Sequence, residues 1–198
     1  MHGTHCGHRD FRSVHCGMVV SNMDSFILQL LYEARHLFLT NVFFGITELG
    51  STIAIGGISL AVGVVLLVKK HFSLFIGLCI SVLGTAVAAF SLKDIVERTR
   101  PDILYQAYLE SGFSFPSGHA ALSFALYGFI VYILWKFKLE RHILAITLAI
   151  ILVSLIGFSR LYLGVHYATD VIAGYTLAAA FLFVGIRVSE RLSRSILS

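Results

Sequence analysis

The stretch SLFIGLCISVLGTAVAAFSL, from Ser73 to Leu92, contains twenty residues and no charged side chain. At about 1.5 Å per residue, a helix of this length rises roughly 30 Å, which matches the hydrocarbon thickness of a bilayer. Inside lipid no water is available to satisfy backbone N–H and C=O groups, so such a stretch must be helical. It therefore predicts a membrane-spanning helix.

Four further stretches share this apolar character. They are Ser51 to Val68, Gly118 to Trp135, Ile143 to Ser159 and Val171 to Ile186. The whole chain of 198 residues is 57% hydrophobic and 13% charged, whereas an ordinary soluble domain carries roughly 25% charge. A soluble protein of this composition would expose large apolar patches and aggregate. We predict an all-α fold, a polytopic transmembrane helical bundle with five spanning helices in the lipid bilayer.

The beginning of the chain has a different composition. Residues 1–24 are polar and include four histidines and two cysteines, whose spacing matches no structural zinc pattern. We predict that this segment is a disordered tail that binds no metal. Residues 25–198 then form one membrane-embedded domain.

Apolar side chains recur at helical spacing from Phe26 to Phe38. This periodicity predicts an N-terminal amphipathic helix that lies in the membrane interface. A sixth spanning helix, from Phe26 to Thr47, is the alternative if Glu33 and Arg35 face protein. The sequence leaves both arrangements open, and with them the side of the N-terminus.

The basic residues predict the orientation in the membrane. Eight of the 15 lie in loops or a terminus at one end of the predicted helices. By the positive-inside rule this end, including the C-terminus, is cytoplasmic. The pattern is typical of membrane topology and not of a nucleic-acid surface, so we predict an integral plasma-membrane protein that binds no nucleic acid. The eight residues are Lys69, Lys70, Lys136, Lys138, Arg141, Arg187, Arg191 and Arg194.

Two extracytoplasmic loops hold most of the remaining unusual residues, and the first begins KDIVERTRP at Lys93. On a helix, Lys93 and Arg100 lie two turns apart and project from nearly the same side. Two cations on one face can clamp a phosphate, although two snorkelling residues near a helix end give the same pattern. We expect Arg98 to pair with Asp94 or Asp102.

The same loop ends in Pro116-Ser117-Gly118-His119, where the third long helix begins. The free amides and the positive dipole end of a helix N-terminus bind anions. Ser117 adds a hydroxyl donor, Gly118 lets a ligand approach the backbone, and His119 adds a titratable group. Helix capping with a surface histidine is the structural alternative.

The second loop, SRLYLGVHYATD, runs from Ser159 to Asp170. His166 and Asp170 are four residues apart at the head of the last helix and so share a face. A carboxylate in that position can hold one imidazole nitrogen and leave the other free to attack. Arg160 adds a planar fork for phosphate oxygens. A capping aspartate with an interfacial histidine is the simpler interpretation of this loop alone.

Together the three segments provide a nucleophile, its orienting carboxylate, a second histidine and three cations on one side of the membrane. They resemble the signature of the type 2 phosphatidic acid phosphatase and haloperoxidase superfamily, which reads K-x6-R-P, P-S-G-H and S-R-x5-H-x3-D. No signature position is substituted here. The chain looks most like small bacterial membrane lipid phosphatases that act on phosphatidylglycerol phosphate or undecaprenyl pyrophosphate.

The resemblance implies a role for each matching residue. His166 would form a phosphohistidine, Asp170 would orient it, and His119 would protonate the leaving lipid oxygen. The reaction would require neither a metal nor another cofactor. The residues implied to hold the phosphate oxygens are Lys93, Arg100, Ser117, Gly118 and Arg160.

The substrate would be a phospholipid or a polyprenyl pyrophosphate, hydrolysed at the extracytoplasmic surface. A lipid phosphotransferase with a polyprenyl pyrophosphate donor would use the same phosphohistidine and differ only in its acceptor. A non-catalytic membrane protein that kept the fold is a further alternative, against which the intact histidines and aspartate argue. Which lipid is bound and the oligomeric state do not follow from the sequence.

Overall fold

The computed structural model describes residues 11–138 and 142–195. Within those residues the chain forms helices, turns and irregular segments and no β-strand. The helices are α1 (Phe11–Glu33), α2 (Leu37–Glu48), α3 (Thr52–Val68), α4 (Phe72–Val96), α5 (Gly118–Lys136), α6 (His142–Tyr162) and α7 (Ala168–Ser195), with a short 3-10 helix at Ile103–Tyr105.

The predicted all-helical membrane fold is confirmed. Among the described residues, five helical segments are long and apolar enough to cross a membrane. Each contains one of the five stretches found in the sequence, and the first joins α2 to α3. The segments are Leu37–Val68, Phe72–Val96, Gly118–Lys136, Ile143–Tyr162 and Ala168–Arg194.

The centre of the bundle is formed by α4, α5 and α7. A Cβ on Gly77 of α4 would lie 2.8 Å from the carbonyl oxygen of Gly185 of α7, so the two backbones are in direct contact. Small residues permit such an approach between membrane helices. Leu126 and Phe129 of α5 are fully buried beside them. Because successive spans run in opposite directions, the α4–α5 and α6–α7 loops emerge at the same end of this centre.

The amphipathic segment is divided between two helices. Helix α1 ends at Glu33. Just beyond it, the Arg35 guanidinium donates to the carbonyl oxygens of Tyr105 at 2.7 Å and Tyr162 at 2.9 Å. The backbone N–H of His36 donates to the Tyr162 hydroxyl at 2.9 Å. These contacts turn the chain between α1 and α2, so the alternative of one continuous sixth span is wrong.

The predicted disordered tail also differs from the structure. Residues 1–10 lie outside the described residues, but α1 begins at Phe11, so residues 11–24 are helical. The side chain of Asp24 is 2% exposed and forms an ion pair with Arg98. This contact attaches α1 to the end of the bundle that carries the two motif loops.

Candidate functional site

The predicted nucleophile and its orienting carboxylate lie in contact. His166 precedes α7 instead of lying on it, yet its Nδ1 is 3.5 Å from Oδ2 of Asp170. The same Oδ2 accepts from the Ser114 hydroxyl and, at 2.9 Å, from the backbone N–H of Tyr167. Oδ2 therefore has three partners, and a proton on Nδ1 of His166 would point toward it.

The other ring nitrogen of His166 is left as an acceptor. Its Nε2 lies 3.3 Å from NH1 of Arg100, which can only donate. Burial lowers the pKa of His166, and its hydrogen bond with Asp170 raises it. The charges of Arg160 and Arg100 lower it further, and the resulting pKa is about 4. At neutral pH the imidazole is thus uncharged and keeps a lone pair on Nε2.

A cavity of about 280 Å³ lies in front of His166. Its wall includes His119 and Gly118 from the start of α5, and Lys93 and Arg100 from the α4 side. No atom lies within 4 Å of the place where a Cβ on Gly118 would stand, which leaves the backbone there open to a ligand. Five of the predicted site residues, from three separate segments of the chain, therefore share one cavity.

Ser117 is the N-cap residue of α5, and its side chain makes no capping hydrogen bond. Its backbone N–H donates to the carbonyl oxygen of Asp170 at 3.0 Å, which joins the two motif loops. Its hydroxyl is buried and has no hydrogen-bond partner. A buried hydroxyl without a partner is costly, but Ser117 is fully buried and is not part of the cavity wall.

The prediction that Lys93 and Arg100 lie on one helix is wrong. Helix α4 ends at Val96, and Glu97 adopts a left-handed conformation with φ of 49° and ψ of 33°. Pro101 disfavours helical geometry at Arg100 and removes a donor, so no helix continues through this segment. Both cations still reach the cavity wall. The two cations therefore come together through the tertiary fold and not through helical periodicity.

The cations of the site are already hydrogen-bonded to protein groups. The Lys93 ammonium donates to the carbonyl oxygen of Phe113 at 2.7 Å. The Arg100 guanidinium donates to the carbonyl oxygens of Gly112 at 3.0 Å and Val165 at 2.9 Å. Arg160 is fully buried behind the cavity and is not part of its wall.

Glu110 is a residue that the sequence analysis missed. Its carboxylate lies between two cations, with Oε1 3.2 Å from Arg100 and Oε2 in contact with Arg160. The Tyr108 hydroxyl donates to Oε2 at 2.8 Å. Burial would raise the pKa of Glu110, but Arg160 and Arg100 outweigh it and lower the pKa to about 2. The sequence feature that could have identified Glu110 is an acidic residue between the K-x6-R-P and P-S-G-H segments.

The expected partners of Arg98 were also wrong. Arg98 forms ion pairs with Asp170 at 2.7 Å and with Asp24 at 2.8 Å, and not with Asp94 or Asp102. The expectation assumed helical spacing on both sides of Arg98, but the chain is irregular beyond Val96. Arg98 is thus directly bonded to the carboxylate that faces His166.

The chain is similar to known proteins. Residues 70–194 match the model of the PAP2 superfamily. Phosphatidylglycerophosphatase B of Bacillus subtilis is 32% identical over 180 residues, which cover 88% of this chain and 87% of that protein. The undecaprenyl-diphosphatase of Sulfolobus acidocaldarius is 30% identical over 130 residues, 63% of this chain and 60% of that protein.

A solved structure extends the similarity to the fold. The crystal structure of a transmembrane PAP2-type phosphatidylglycerolphosphate phosphatase from Bacillus subtilis superposes with a TM-score of 0.80 at 29% sequence identity. The superposition covers 87% of each chain. The helical bundle and the order of its spans are therefore shared with that protein.

Proposed function

The chain belongs to the PAP2 superfamily, and from that premise we propose that it removes phosphate from a membrane lipid through a phosphohistidine formed on His166. It is an integral membrane phosphatase of the PAP2 type. The proposal assigns His166 as nucleophile, Asp170 as its orienting carboxylate and His119 as the proton donor. Lys93, Arg100, Ser117, Gly118 and Arg160 are assigned to the phosphate.

One observation carries the proposal: the cavity in front of His166, which holds the charged groups, adjoins an apolar groove. The groove has a volume of about 420 Å³ and lies between α3, α4 and α5. Thr52, Ala86 and Leu122 belong to the walls of both spaces. A ligand with a phosphate at one end and a hydrocarbon chain at the other fits this combination.

The proposed reaction has two steps. Nε2 of His166 attacks phosphorus while the bond from phosphorus to the lipid oxygen breaks. His119, which is protonated when the anionic phosphate lies beside it, gives its proton to that oxygen. A water molecule then attacks the phosphohistidine, His119 takes its proton, and inorganic phosphate leaves. The guanidinium and ammonium groups stabilise the charge that builds up on the phosphoryl oxygens in each transition state.

Phosphatidylglycerol phosphate is the substrate that we propose first. The relative with that activity in its name aligns over most of both chains, with 88% of this chain and 87% of that protein covered. Undecaprenyl pyrophosphate is the next substrate to test, since the named undecaprenyl-diphosphatase aligns over 63% of this chain.

We place the cavity at the extracytoplasmic surface and the C-terminus in the cytoplasm, because the loops at the opposite end hold most of the basic residues. Asp102 and Lys138 are exposed and lie in loops at opposite ends of the bundle. With the native cysteines replaced by serine, a membrane-impermeant maleimide should label Asp102→Cys and not Lys138→Cys in intact cells. The reverse pattern would invert the proposed orientation.

The activity is tested by phosphate release from the purified protein. Phosphatidylglycerol phosphate, undecaprenyl pyrophosphate, phosphatidic acid and lipid A form the panel, and the first should give the highest kcat/KM. His166→Ala should lower the rate by at least about 10⁴-fold. His71→Ala, at the other end of α4, is the matched control and should keep it. Undiminished phosphate release by His166→Ala would contradict the assignment of His166 as nucleophile. A phosphorylated lipid product in place of free phosphate would indicate a phosphotransferase.

A further inference from the structure

A buried carboxylate connects α1 to the predicted site. Asp24 accepts hydrogen bonds from the backbone N–H of Thr169 at 3.1 Å, from the Thr169 hydroxyl and from NH2 of Arg98 at 2.8 Å. Its side chain is 2% exposed, whereas Met23 and Phe26 beside it on α1 are 60% and 68% exposed. A buried charge is stable only when it is paired and hydrogen-bonded, and Arg98 with Thr169 meets that need.

Arg98 connects this carboxylate to Asp170. Its NH1 donates to Oδ1 of Asp170 at 2.7 Å and to the Thr169 hydroxyl at 2.6 Å. The guanidinium carbon lies 4.2 Å from the centre of the Tyr167 ring, which supports the planar fork from one face. The fork is therefore held in one orientation by an acid on each side and an aromatic ring.

The two oxygens of Asp170 have different partners as a result. Oδ1 is bonded to Arg98, and Oδ2 faces Nδ1 of His166, the Ser114 hydroxyl and the backbone N–H of Tyr167. Holding Oδ1 prevents the carboxylate from rotating about its terminal torsion, which is otherwise soft. The oxygen that faces the imidazole is thereby kept at a fixed angle.

We propose that Asp24 and Arg98 are positioning residues of the reaction, and that α1 is in this way part of the catalytic unit. The proposal rests on the proposed function, in which Asp170 orients the nucleophile. Neither residue lines the cavity, so neither contacts the phosphate. Arg98 holds the Asp170 carboxylate in place. Asp24 holds the Arg98 guanidinium and shares its positive charge, which would otherwise be paired with Asp170 alone.

A purely structural role for the same contacts makes a different prediction. If Asp24 and Arg98 only attach α1 to the loops, their removal lowers the melting temperature and the amount of folded enzyme. The kcat per folded molecule then stays the same. If they position Asp170, kcat falls in protein that is still folded, while KM stays near its original value because the phosphate groups are untouched.

The test compares Asp24→Asn, Arg98→Gln and the double variant with Glu33→Gln, an exposed acid on α1 that bonds only Gln29 among the described contacts. For kcat, measured on folded protein, we expect a fall of roughly 10-fold for Asp24→Asn and 10- to 100-fold for Arg98→Gln, since small misplacements of a reacting group have effects of this size. The double variant should be no slower than Arg98→Gln, because Asp24 acts through Arg98. Glu33→Gln should match the original chain.

Arg98→Lys provides the second arm if Asp24→Asn does not fold. A single ammonium keeps the charge but cannot bridge both carboxylates, so kcat should lie between those of the original chain and Arg98→Gln. An unchanged kcat in Asp24→Asn or Arg98→Lys, independent losses in the double variant, or a loss confined to KM would overturn the proposal. His166→Ala is measured in parallel: if it is inactive while these variants are normal, only the positioning role fails, and if it is active, the proposed function itself fails.

Discussion

The polar groups on the two sides of the cavity differ in their hydrogen-bond partners. On one side, His166 and Asp170 already have the contacts that a nucleophile and its orienting group require. On the other side, Lys93 and Arg100 donate to protein carbonyl oxygens, and Arg100 shares the Glu110 carboxylate with Arg160. The groups that would attack are preorganised, whereas the groups that would bind phosphate are occupied by internal acceptors.

This difference predicts which hydrogen bonds must be exchanged when a substrate binds. A phosphate can replace the carbonyl oxygens and the Glu110 carboxylate without leaving the cations unpaired, since it offers several acceptor oxygens. The nucleophile exchanges one partner, since Nε2 of His166 must give up its contact with NH1 of Arg100, while the contacts of Asp170 stay in place. Binding should therefore be sensitive to the internal acceptors, and the chemical step should be sensitive to the contacts of Asp170.

Of the three variants that separate the two sides of the cavity, Asp170→Asn should have the largest effect. An amide that donates to Nδ1 of His166 would force the proton onto Nε2 and remove the attacking lone pair, so kcat should fall by about 10³- to 10⁴-fold. The inhibition constant for inorganic phosphate should change little, because the cations stay in place. Steady-state kinetics with phosphate as inhibitor measures both. The control is Asp102→Asn, since Asp102 is an exposed carboxylate that caps the short 3-10 helix. A parallel loss of phosphate binding in Asp170→Asn would contradict the separation of the chemical step from phosphate binding.

A smaller effect of opposite sign is expected for Glu110→Gln. The neutral amide no longer competes for Arg100 and Arg160, so phosphate should inhibit at a concentration lower by roughly 2- to 5-fold, the range of one partly exposed ion pair. Competitive inhibition by inorganic phosphate or vanadate measures it. The control is Asp94→Asn, since Asp94 is an exposed acid outside the cavity. Weaker inhibition would show instead that Glu110 supports the arginines.

The smallest effect should be a shift of the acid limb of kcat/KM. Protonated His166 cannot attack, so the activity that depends on it is lost as pH falls through its pKa of about 4. Arg100→Gln removes a neighbouring cation, which raises that pKa, so the loss should begin at a higher pH. The substrate titrates identically with both enzymes, and Arg194→Gln at the far end of α7 is the charge control. If the pH midpoint of the acid limb is the same in both enzymes, the titration of a group other than His166 determines it.

Much of the fold and of the site could be predicted because the signals are local. Hydropathy predicts the five spans, since a bilayer requires continuous apolar helices. The motifs predicted His119, Lys93, Arg100 and His166, which the structure brings to one cavity. Lys93 and Arg100 line the same cavity even though the helix that was expected to carry both ends at Val96.

The remaining features depend on contacts between distant parts of the chain. Arg98 meets Asp24 across 74 positions, and Glu110 meets Arg160 across 50. Neither pair has a spacing that sequence periodicity can detect. The break between α1 and α2 likewise depends on carbonyl oxygens 70 and 127 positions from Arg35, so the helical pattern around it was misleading.

Trapping the covalent intermediate tests the role of His166 most directly. Purified protein is mixed briefly with phosphatidylglycerol phosphate labelled in its terminal phosphate and quenched in alkali, where a phosphohistidine survives. Peptide mapping should then find the label on His166 in the original chain and no label in His166→Ala. Label on His119, or turnover without any labelled histidine, would contradict the proposed mechanism.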